Sequence, residues 1–277
     1  MLESRIERLF EQGDAASRTE VRAVVAELRD ALSAGVVRAA QPDDSSPWGW
    51  RVNAWVKRGI LLAFRFGETI EVARSPLPFF DKDTLPLKPL NAASGVRIVP
   101  GGSSIRDGAY TGRGVICMPP MYINIGAWVG DESLIDSHAL VGSCAQVGSR
   151  VHVSAGAQIG GVLEPVGALP VIIEDDVLIG GNCGVYEGAV VKRRAVLASG
   201  TILTASTPLY DITNGTIVKA NPGEPLVVPE GAVVVPGSRR IRSESAPDWE
   251  LSVATPIIVK YRDEKTSART ALEEWIR

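Results

Sequence analysis

The side chains in this sequence that could perform acid–base or metal chemistry are few. Two histidines, His138 and His152, could accept a proton near neutral pH, although a lone histidine on a regular scaffold is more often structural. Two imidazoles cannot supply the three-histidine ligand set of a catalytic zinc ion. The three cysteines are far apart and lack the paired spacing of zinc ligands or of a disulfide framework, which favours core or corner thiols: Cys117, Cys144 and Cys183.

Aliphatic residues recur at a spacing of six and determine where the other side chains must lie. This ladder comprises Ile123, Val129, Ile135, Val141, Val147, Val153 and Ile159 and, after one interruption, Ile173, Ile179, Val185, Val191, Leu197 and Leu203. Four positions after each ladder residue stands a small or slender residue, such as Ala127, Ser133 and Ala139. An α-helix cannot use a period of six, whereas a parallel β-helix with three short strands per turn stacks equivalent residues about 4.8 Å apart. The sequence therefore predicts a triangular β-helix with the ladder as its core.

The inward direction of the ladder residues predicts the direction of their neighbours. Asp136 directly follows Ile135 and should point outward from the wall of the prism, because side chains alternate along a strand. Fourteen residues separate Ile159 from Ile173, two more than two hexads require, so residues 162–170 should leave the prism as a functional loop. We expect the bends between strands to be eased by glycines: Gly126, Gly142, Gly148, Gly160 and Gly180.

The pattern divides the chain into three regions: a small helical domain with a connector (1–96), the β-helix (97–207) and a C-terminal extension (208–277). Helical spacing of apolar residues and the punctuation by proline and glycine set these limits. Helices are predicted at 2–12 and 18–34, a helix followed by a strand within 48–70, valine-rich strands at 226–235 and 253–260, and a final capping helix near 264–276.

Composition excludes several classes of partner. The 277 residues are 45% hydrophobic and 22% charged, and the formal net charge of −3 argues against nucleic-acid binding. The basic run from Lys192 to Arg194 is too short to change this and is interpreted as a solvated corner. The first residues mix acidic and basic side chains, and no apolar run reaches the length of a membrane span. We therefore expect a cytoplasmic protein with no membrane association.

Four segments of the sequence closely resemble the tetrahydrodipicolinate N-succinyltransferases, a branch of the hexapeptide-repeat acyltransferases. They are GVRIVP (95–100), MPPMYINIGA (118–127), VGSCAQVG (141–148) and IGGVLEP (159–165). The resemblance continues through IIED (172–175) and, more weakly, over the helical start and the strand at 257–260. It thus covers most of the chain.

The resemblance implies a fold, an assembly and a reaction. The fold would be a left-handed parallel β-helix, against the usual right-handed crossover rule. The assembly would be a homotrimer with active sites between neighbouring prisms, where a groove holds the pantetheine arm of succinyl-CoA. Succinyl-CoA would be a cosubstrate, with no tightly bound cofactor. The amine of the ring-opened substrate would attack the thioester, in the route to diaminopimelate and lysine.

The resemblance also assigns roles to individual residues. Asp136 matches the acidic residue proposed to take the proton of the amine, a task that suits a positioned carboxylate. Arg97 matches the arginine that binds a substrate carboxylate through its planar fork. A second acid is expected at the position that holds Gly184 here, and Glu187 is the nearest carboxylate. Glu187 either takes that role or orders the neighbouring coil.

Further positions follow from the same resemblance or from simple chemistry. The glycine pairs Gly160-Gly161 and Gly180-Gly181 could bring backbone N–H groups to the oxyanion of the thioester, or they could be plain corners. Ser199 and Gly200 lie where the family lines the pantetheine groove. The CoA phosphates need cations, and the candidates that follow the solenoid are Lys219, Arg239 and Arg240.

Two alternatives remain open at the level of the sequence, and a third is excluded. A histidine base, His138 or His152, would indicate an acyltransferase that acts on a sugar or uses acetyl-CoA. A bifunctional sugar-nucleotide enzyme would need a glycine-rich nucleotide domain, which residues 1–96 do not offer. The absence of a glutamate at position 184 leaves room for a trimeric scaffold without catalysis.

Overall fold

The computed structural model describes residues 1–72, 79–241, 244 and 249–262. The N-terminal domain is a three-helix unit with two small hairpins. Its helices are α1 (Leu2–Gln12), α2 (Arg18–Ser33) and α3 (Ala54–Phe66), with short 3-10 turns at Gly13–Ala15 and Ala92–Ser94. The hairpins pair Ala40–Pro42 with Trp50–Val52 and Thr69–Glu71 with Phe80–Lys82. The predicted helices at 2–12 and 18–34 are confirmed within one residue.

The β-helix consists of two-residue strands that stack into three parallel sheets, which we call faces 1, 2 and 3. Face 1 contains Tyr110–Thr111, Trp128–Val129, Gln146–Val147, Ile172–Ile173, Val190–Val191 and Val227–Val228. Face 2 contains Arg97–Ile98, Ile116–Cys117, Leu134–Ile135, His152–Val153, Leu178–Ile179 and Val196–Leu197. Face 3 contains Ser104–Ile105, Tyr122–Ile123, Leu140–Val141, Gln158–Ile159, Gly184–Val185 and Ile202–Leu203.

The predicted core is confirmed at every rung. All thirteen ladder residues from Ile123 to Leu203 are at most 1% exposed, and the small residues four positions later are buried beside them. The chain visits face 2, face 3 and face 1 in turn, so each turn has three edges. We name the edge between faces 2 and 3 the Asp136 edge, that between faces 3 and 1 the Glu187 edge, and that between faces 1 and 2 the Arg150 edge.

The corners are built differently from the prediction. Left-handed backbone falls three positions after the ladder residue, and non-glycine residues usually occupy it, as at Glu132 (φ 59°) and Asn182 (φ 56°). Of the five glycines predicted to ease bends, only Gly126 adopts positive φ. The others lie against the next coil: a Cβ on Gly142 would stand 2.2 Å from the nitrogen of Gly161. Close approach of two backbones, rather than φ, requires glycine there.

The strand ladder extends beyond the last regular hexad. After an insertion, Val227–Val228 adds to face 1, and Ala232–Arg240 adds to face 2 and pairs with Ser252–Tyr261. The insertion carries a hairpin of Leu209–Asp211 and Thr216–Val218. The valine-rich strands predicted near 226–235 and 253–260 are therefore present, whereas the predicted helix near 264–276 lies outside the described residues.

The N-terminal domain packs on the Glu187 edge and on face 1. Ile125 and Cys144, from corners of that edge, are buried in the same apolar cluster as Ile60 of α3. On face 1 the guanidinium of Arg38 lies 3.9 Å from the ring centre of Trp128, and its Nε donates to buried Gln146. Burial lowers the pKa of Arg38 to about 10. Cation–π contact and a buried hydrogen bond thus attach the domain to the prism.

Candidate active site

Asp136 points outward from the prism, as predicted, because Ile135 beside it is fully buried. The backbone N–H of Asp136 donates to Val153 in the next coil at 2.9 Å, which anchors its Cα. Its Oδ1 accepts from the backbone N–H of Ser137 at 2.7 Å. The second oxygen, Oδ2, is the atom of this carboxylate that faces the neighbouring coil. The carboxylate is held at one end and accessible at the other.

A histidine lies beside this carboxylate. Nε2 of His152 is 3.9 Å from Oδ2 of Asp136, and His152 pairs in register with Leu134 one coil earlier. The proximity of these two residues was not predicted, although the eighteen-residue turn places residue 152 directly above residue 134. The other histidine, His138, is exposed at the corner with φ 61°. Its backbone N–H donates to the carbonyl of Pro120. His152 is therefore the histidine that the fold brings to the carboxylate.

Several of the predicted site residues share the Asp136 edge. The strands register Leu134 with His152, then Leu178, then Val196, so Gly180-Gly181 and Ser199-Gly200 occupy the same edge on later coils. A Cβ on Gly180 would stand 2.5 Å from the nitrogen of Ser199, so two coils are in close contact at this corner. Arg97 is exposed on face 2, two coils before Asp136. This edge combines a carboxylate and an imidazole, which suits proton transfer. The predicted role of Gly180 as a backbone donor is not available, because its N–H donates to the carbonyl of Leu197 at 2.8 Å.

Glu187 and Gly161 lie elsewhere in the subunit. Both belong to the Glu187 edge, which face 3 separates from the Asp136 edge. Glu187 has φ 54° and its Oε2 accepts from the N–H of Ala205 at 2.9 Å, which orders the neighbouring coil. One subunit by itself does not bring the carboxylates of Asp136 and Glu187 to one site.

A cavity of about 770 Å³ opens at the Glu187 edge. Its lining combines indoles, an arginine and acids: Trp48, Trp50, Arg51, Glu187 and Glu224 are among its residues. Neither Asp136 nor His152 lines it. The adjacent carboxylate and imidazole of the Asp136 edge therefore lie outside this cavity.

The loop predicted at 162–170 leaves the prism between Ile159 and Ile172. It is anchored by Lys57 of α3, whose side chain is fully buried and whose Nζ donates to the carbonyl of Ala168 at 2.6 Å. Burial lowers the pKa of Lys57. At its start, the N–H of Val162 donates to Ser143 at 3.2 Å. The sequence analysis missed Lys57, since nothing in its helical spacing distinguishes it from a surface lysine.

The basic residues predicted to meet CoA phosphates lie in the C-terminal extension. Lys219 is exposed after the strand Thr216–Val218, and Arg240 pairs with Glu250 at 3.3 Å. Arg239 lies on the same strand as Arg240. The other basic run is an ion-paired corner on the Arg150 edge, where Lys192 binds Glu174 at 2.8 Å and Arg193 binds Glu230 at 3.0 Å.

The described part of the chain contains neither a metal-ligand cluster nor a membrane-spanning helix. No group of three or more histidine, cysteine, aspartate or glutamate side chains there is arranged to hold a metal ion. None of its helices combines the length and the apolar character needed to cross a membrane.

Three parallel sheets wound from hexad-spaced strands define a hexapeptide-repeat β-helix protein with an outward carboxylate on one edge. Family comparisons agree with this class. Residues 1–66 match the model "Tetrahydrodipicolinate N-succinyltransferase N-terminal", and residues 170–205 match "Hexapeptide repeat of succinyl-transferase". The fold is a left-handed parallel β-helix with a helical N-terminal domain, as predicted.

Comparison with whole proteins gives the particular family. A 2,3,4,5-tetrahydropyridine-2,6-dicarboxylate N-succinyltransferase of Xylella fastidiosa is 41% identical over 93% of this chain and 89% of its own length. An enzyme of the same name from Rhodopseudomonas palustris is 40% identical over 100% of this chain and 98% of its own length. The crystal structure of a hexapeptide-repeat acetyltransferase of Vibrio cholerae is more distant, with 20% identity, a TM-score of 0.33 and coverage of 45% and 67%. This chain belongs to the tetrahydrodipicolinate N-succinyltransferase family.

Proposed function

We propose that this protein is an N-acyltransferase that moves the succinyl group of succinyl-CoA to the amine of ring-opened tetrahydrodipicolinate, in diaminopimelate and lysine biosynthesis. The observation that carries the proposal is the relationship of about 40% identity over the full chain to proteins named for this reaction. The Asp136 edge adds independent support, because its carboxylate is accessible and lies 3.9 Å from an imidazole.

The chemistry requires a base, an oxyanion site and a leaving group. The substrate ammonium must lose a proton before its nitrogen can attack the thioester carbonyl, and the carboxylate of Asp136 accepts that proton. The new C–N bond gives a tetrahedral oxyanion, for which the backbone N–H of Gly181 is the candidate donor, since the N–H of Gly180 already donates to the carbonyl of Leu197 at 2.8 Å. Collapse of this intermediate breaks the C–S bond, and the thiolate of CoA leaves and takes up a proton. Arg97 binds a carboxylate of the acceptor.

We further propose a cytoplasmic homotrimer with the active sites between subunits. Face 2 supports a subunit interface, since its outward column carries partly exposed aliphatic side chains on either side of His152: Ile116, Leu134, Leu178 and Val196. Asp136 directly follows that column and would therefore lie at the margin of the interface. A partner subunit would complete the groove for the pantetheine arm along Ser199 and Gly200, and would bring Gly161 and Glu187 of its own Glu187 edge to the site. Lys219 would meet the CoA phosphates.

The decisive experiment follows the release of the CoA thiol with tetrahydrodipicolinate and either succinyl-CoA or acetyl-CoA. The proposal expects turnover with succinyl-CoA and a clear preference for it. Preference for acetyl-CoA would refute the proposed donor, and absence of turnover with either would favour a scaffold. Light scattering coupled to size-exclusion chromatography tests the trimer.

The proximity of His152 to Asp136 supports one alternative function, that of an acyltransferase with a histidine base. Asp136→Asn and His152→Gln separate the two roles. The proposal expects the larger loss of turnover from Asp136→Asn, with His152 assisting the carboxylate. A larger loss from His152→Gln would make the imidazole the base and would favour the alternative.

A further inference from the structure

The ring of Tyr186 lies over face 3, where two glycines on adjoining coils leave room for it. Gly160 and Gly184 lie on adjoining coils, with Gln158 registered against Gly184. A Cβ on Gly184 would stand 2.4 Å from Cε2 of Tyr186 and 2.9 Å from its hydroxyl oxygen, and a Cβ on Gly160 would stand 2.8 Å from Cδ1. Neither glycine has positive φ. The ring of Tyr186 therefore fills the space that a side chain at position 184 would occupy.

The direction of the ring follows from the chain path. Gly184 begins the strand Gly184–Val185 and Tyr186 directly follows it, and two residues of extended chain span about 6–7 Å. The ring thus points back from the Glu187 edge across face 3, toward the Asp136 edge from which this strand comes. Both glycines are buried beneath it, while Tyr186 itself is half-exposed.

The hydroxyl of Tyr186 is available to a ligand. Among the described residues no side chain or backbone group forms a hydrogen bond with it, whereas the hydroxyls of Tyr122 and Tyr261 are bonded to Arg106 and Asp211. A phenol can donate a hydrogen bond to a carboxylate, which an ionised carboxylate at position 184 could not do. The family resemblance expects an acid at position 184, and here the ring of Tyr186 occupies that space.

We infer that Tyr186 takes the place of the missing acid as a substrate-binding residue: its hydroxyl donates a hydrogen bond to the distal carboxylate of the acyl acceptor. This inference rests on the proposed function. The carboxylate next to the reacting amine must stay beside Asp136, so the far end of the acceptor is the part that reaches across face 3. Asp136 remains the proton acceptor, and Tyr186 contributes affinity and selectivity for a dicarboxylate.

The test uses two acceptors that differ only at the far end, 2-aminoheptanedioate and 2-aminoheptanoate. Tyr186→Phe keeps the ring over the glycines and removes only the hydroxyl. We expect it to raise the KM for 2-aminoheptanedioate about 10-fold, as for loss of a hydrogen bond to a charged group, and to leave the KM for 2-aminoheptanoate and for succinyl-CoA unchanged. Tyr210→Phe, on the hairpin strand Leu209–Asp211, is the matched control and should change none of them.

The outcomes separate the inference from the function on which it rests. Equal effects of Tyr186→Phe on both acceptors would indicate a merely structural hydroxyl and overturn the inference, as would an unchanged KM for the dicarboxylate. In both cases the wild-type protein still transfers succinyl groups. Failure of the wild-type protein to use either acceptor or tetrahydrodipicolinate would instead refute the proposed function, and the inference with it.

Discussion

The last regular coil offers a stringent test of the inside–outside alternation of the prism. Leu203 is fully buried, whereas its neighbour Ile202 is 47% exposed. Leu203→Ala removes core contacts in register with Val185 and should lower the free energy of unfolding by about 2–5 kcal/mol. Ile202→Ala removes side-chain atoms that are already about half exposed to solvent. We expect it to lower the free energy of unfolding by about 1 kcal/mol or less.

The two changes should be distinguished by thermal unfolding. For a domain of this size a loss of 1 kcal/mol lowers Tm by about 2–4 °C, so Leu203→Ala should lower Tm by about 4–20 °C and Ile202→Ala by about 4 °C at most. Circular dichroism measures Tm for both variants. The protein concentration is kept the same in all samples, because subunit association makes Tm depend on concentration. Equal losses, or a larger loss for Ile202→Ala, would refute the assigned register.

Three further outcomes are expected. Asp136→Asn should lower kcat/KM by about 10²–10⁴-fold in the thiol-release assay while leaving Tm nearly unchanged, since an amide oxygen can still accept from Ser137; activity within tenfold of wild type would contradict the role of the carboxylate. Burial raises the pKa of the Cys117 and Cys144 thiols to about 12, so the unfolded state loses these protons first and stability should fall as pH rises above about 9; urea unfolding at pH 8 and pH 10 measures this, and a Cys144→Ala variant with the same pH dependence would exclude that thiol as a cause. Gly142→Ala places a Cβ against a neighbouring backbone and should cost about 1–3 kcal/mol in urea unfolding, and an unchanged midpoint would show that the coils can separate there.

The local sequence pattern was sufficient to predict the β-helical prism. The six-residue ladder predicts the triangular prism, the buried rungs and the outward direction of Asp136, because each of these depends on strand alternation alone. The two extra residues before Ile173 predict the loop. The corners were predicted less well, since glycines such as Gly142 were assigned to bends when they are needed where coils touch. Contact between coils joins residues far apart in sequence, and the hexad spacing does not report it.

The sequence by itself determined the triangular β-helix and its core, because the hexads follow one another along the chain and each buries its own aliphatic side chain. The family followed from the segments that resemble the tetrahydrodipicolinate N-succinyltransferases, such as residues 118–127. Only the tertiary structure decided which functional groups meet. Stacking of the coils brought His152 to Asp136 and the ring of Tyr186 over Gly184, and it put Glu187 on a different edge from Asp136. The physical reason is that the direction of a side chain follows from alternation along its own strand. Which side chains lie close together depends instead on the register of the coils and on the loop at 162–170. It also depends on the conformation of long side chains such as that of Tyr186.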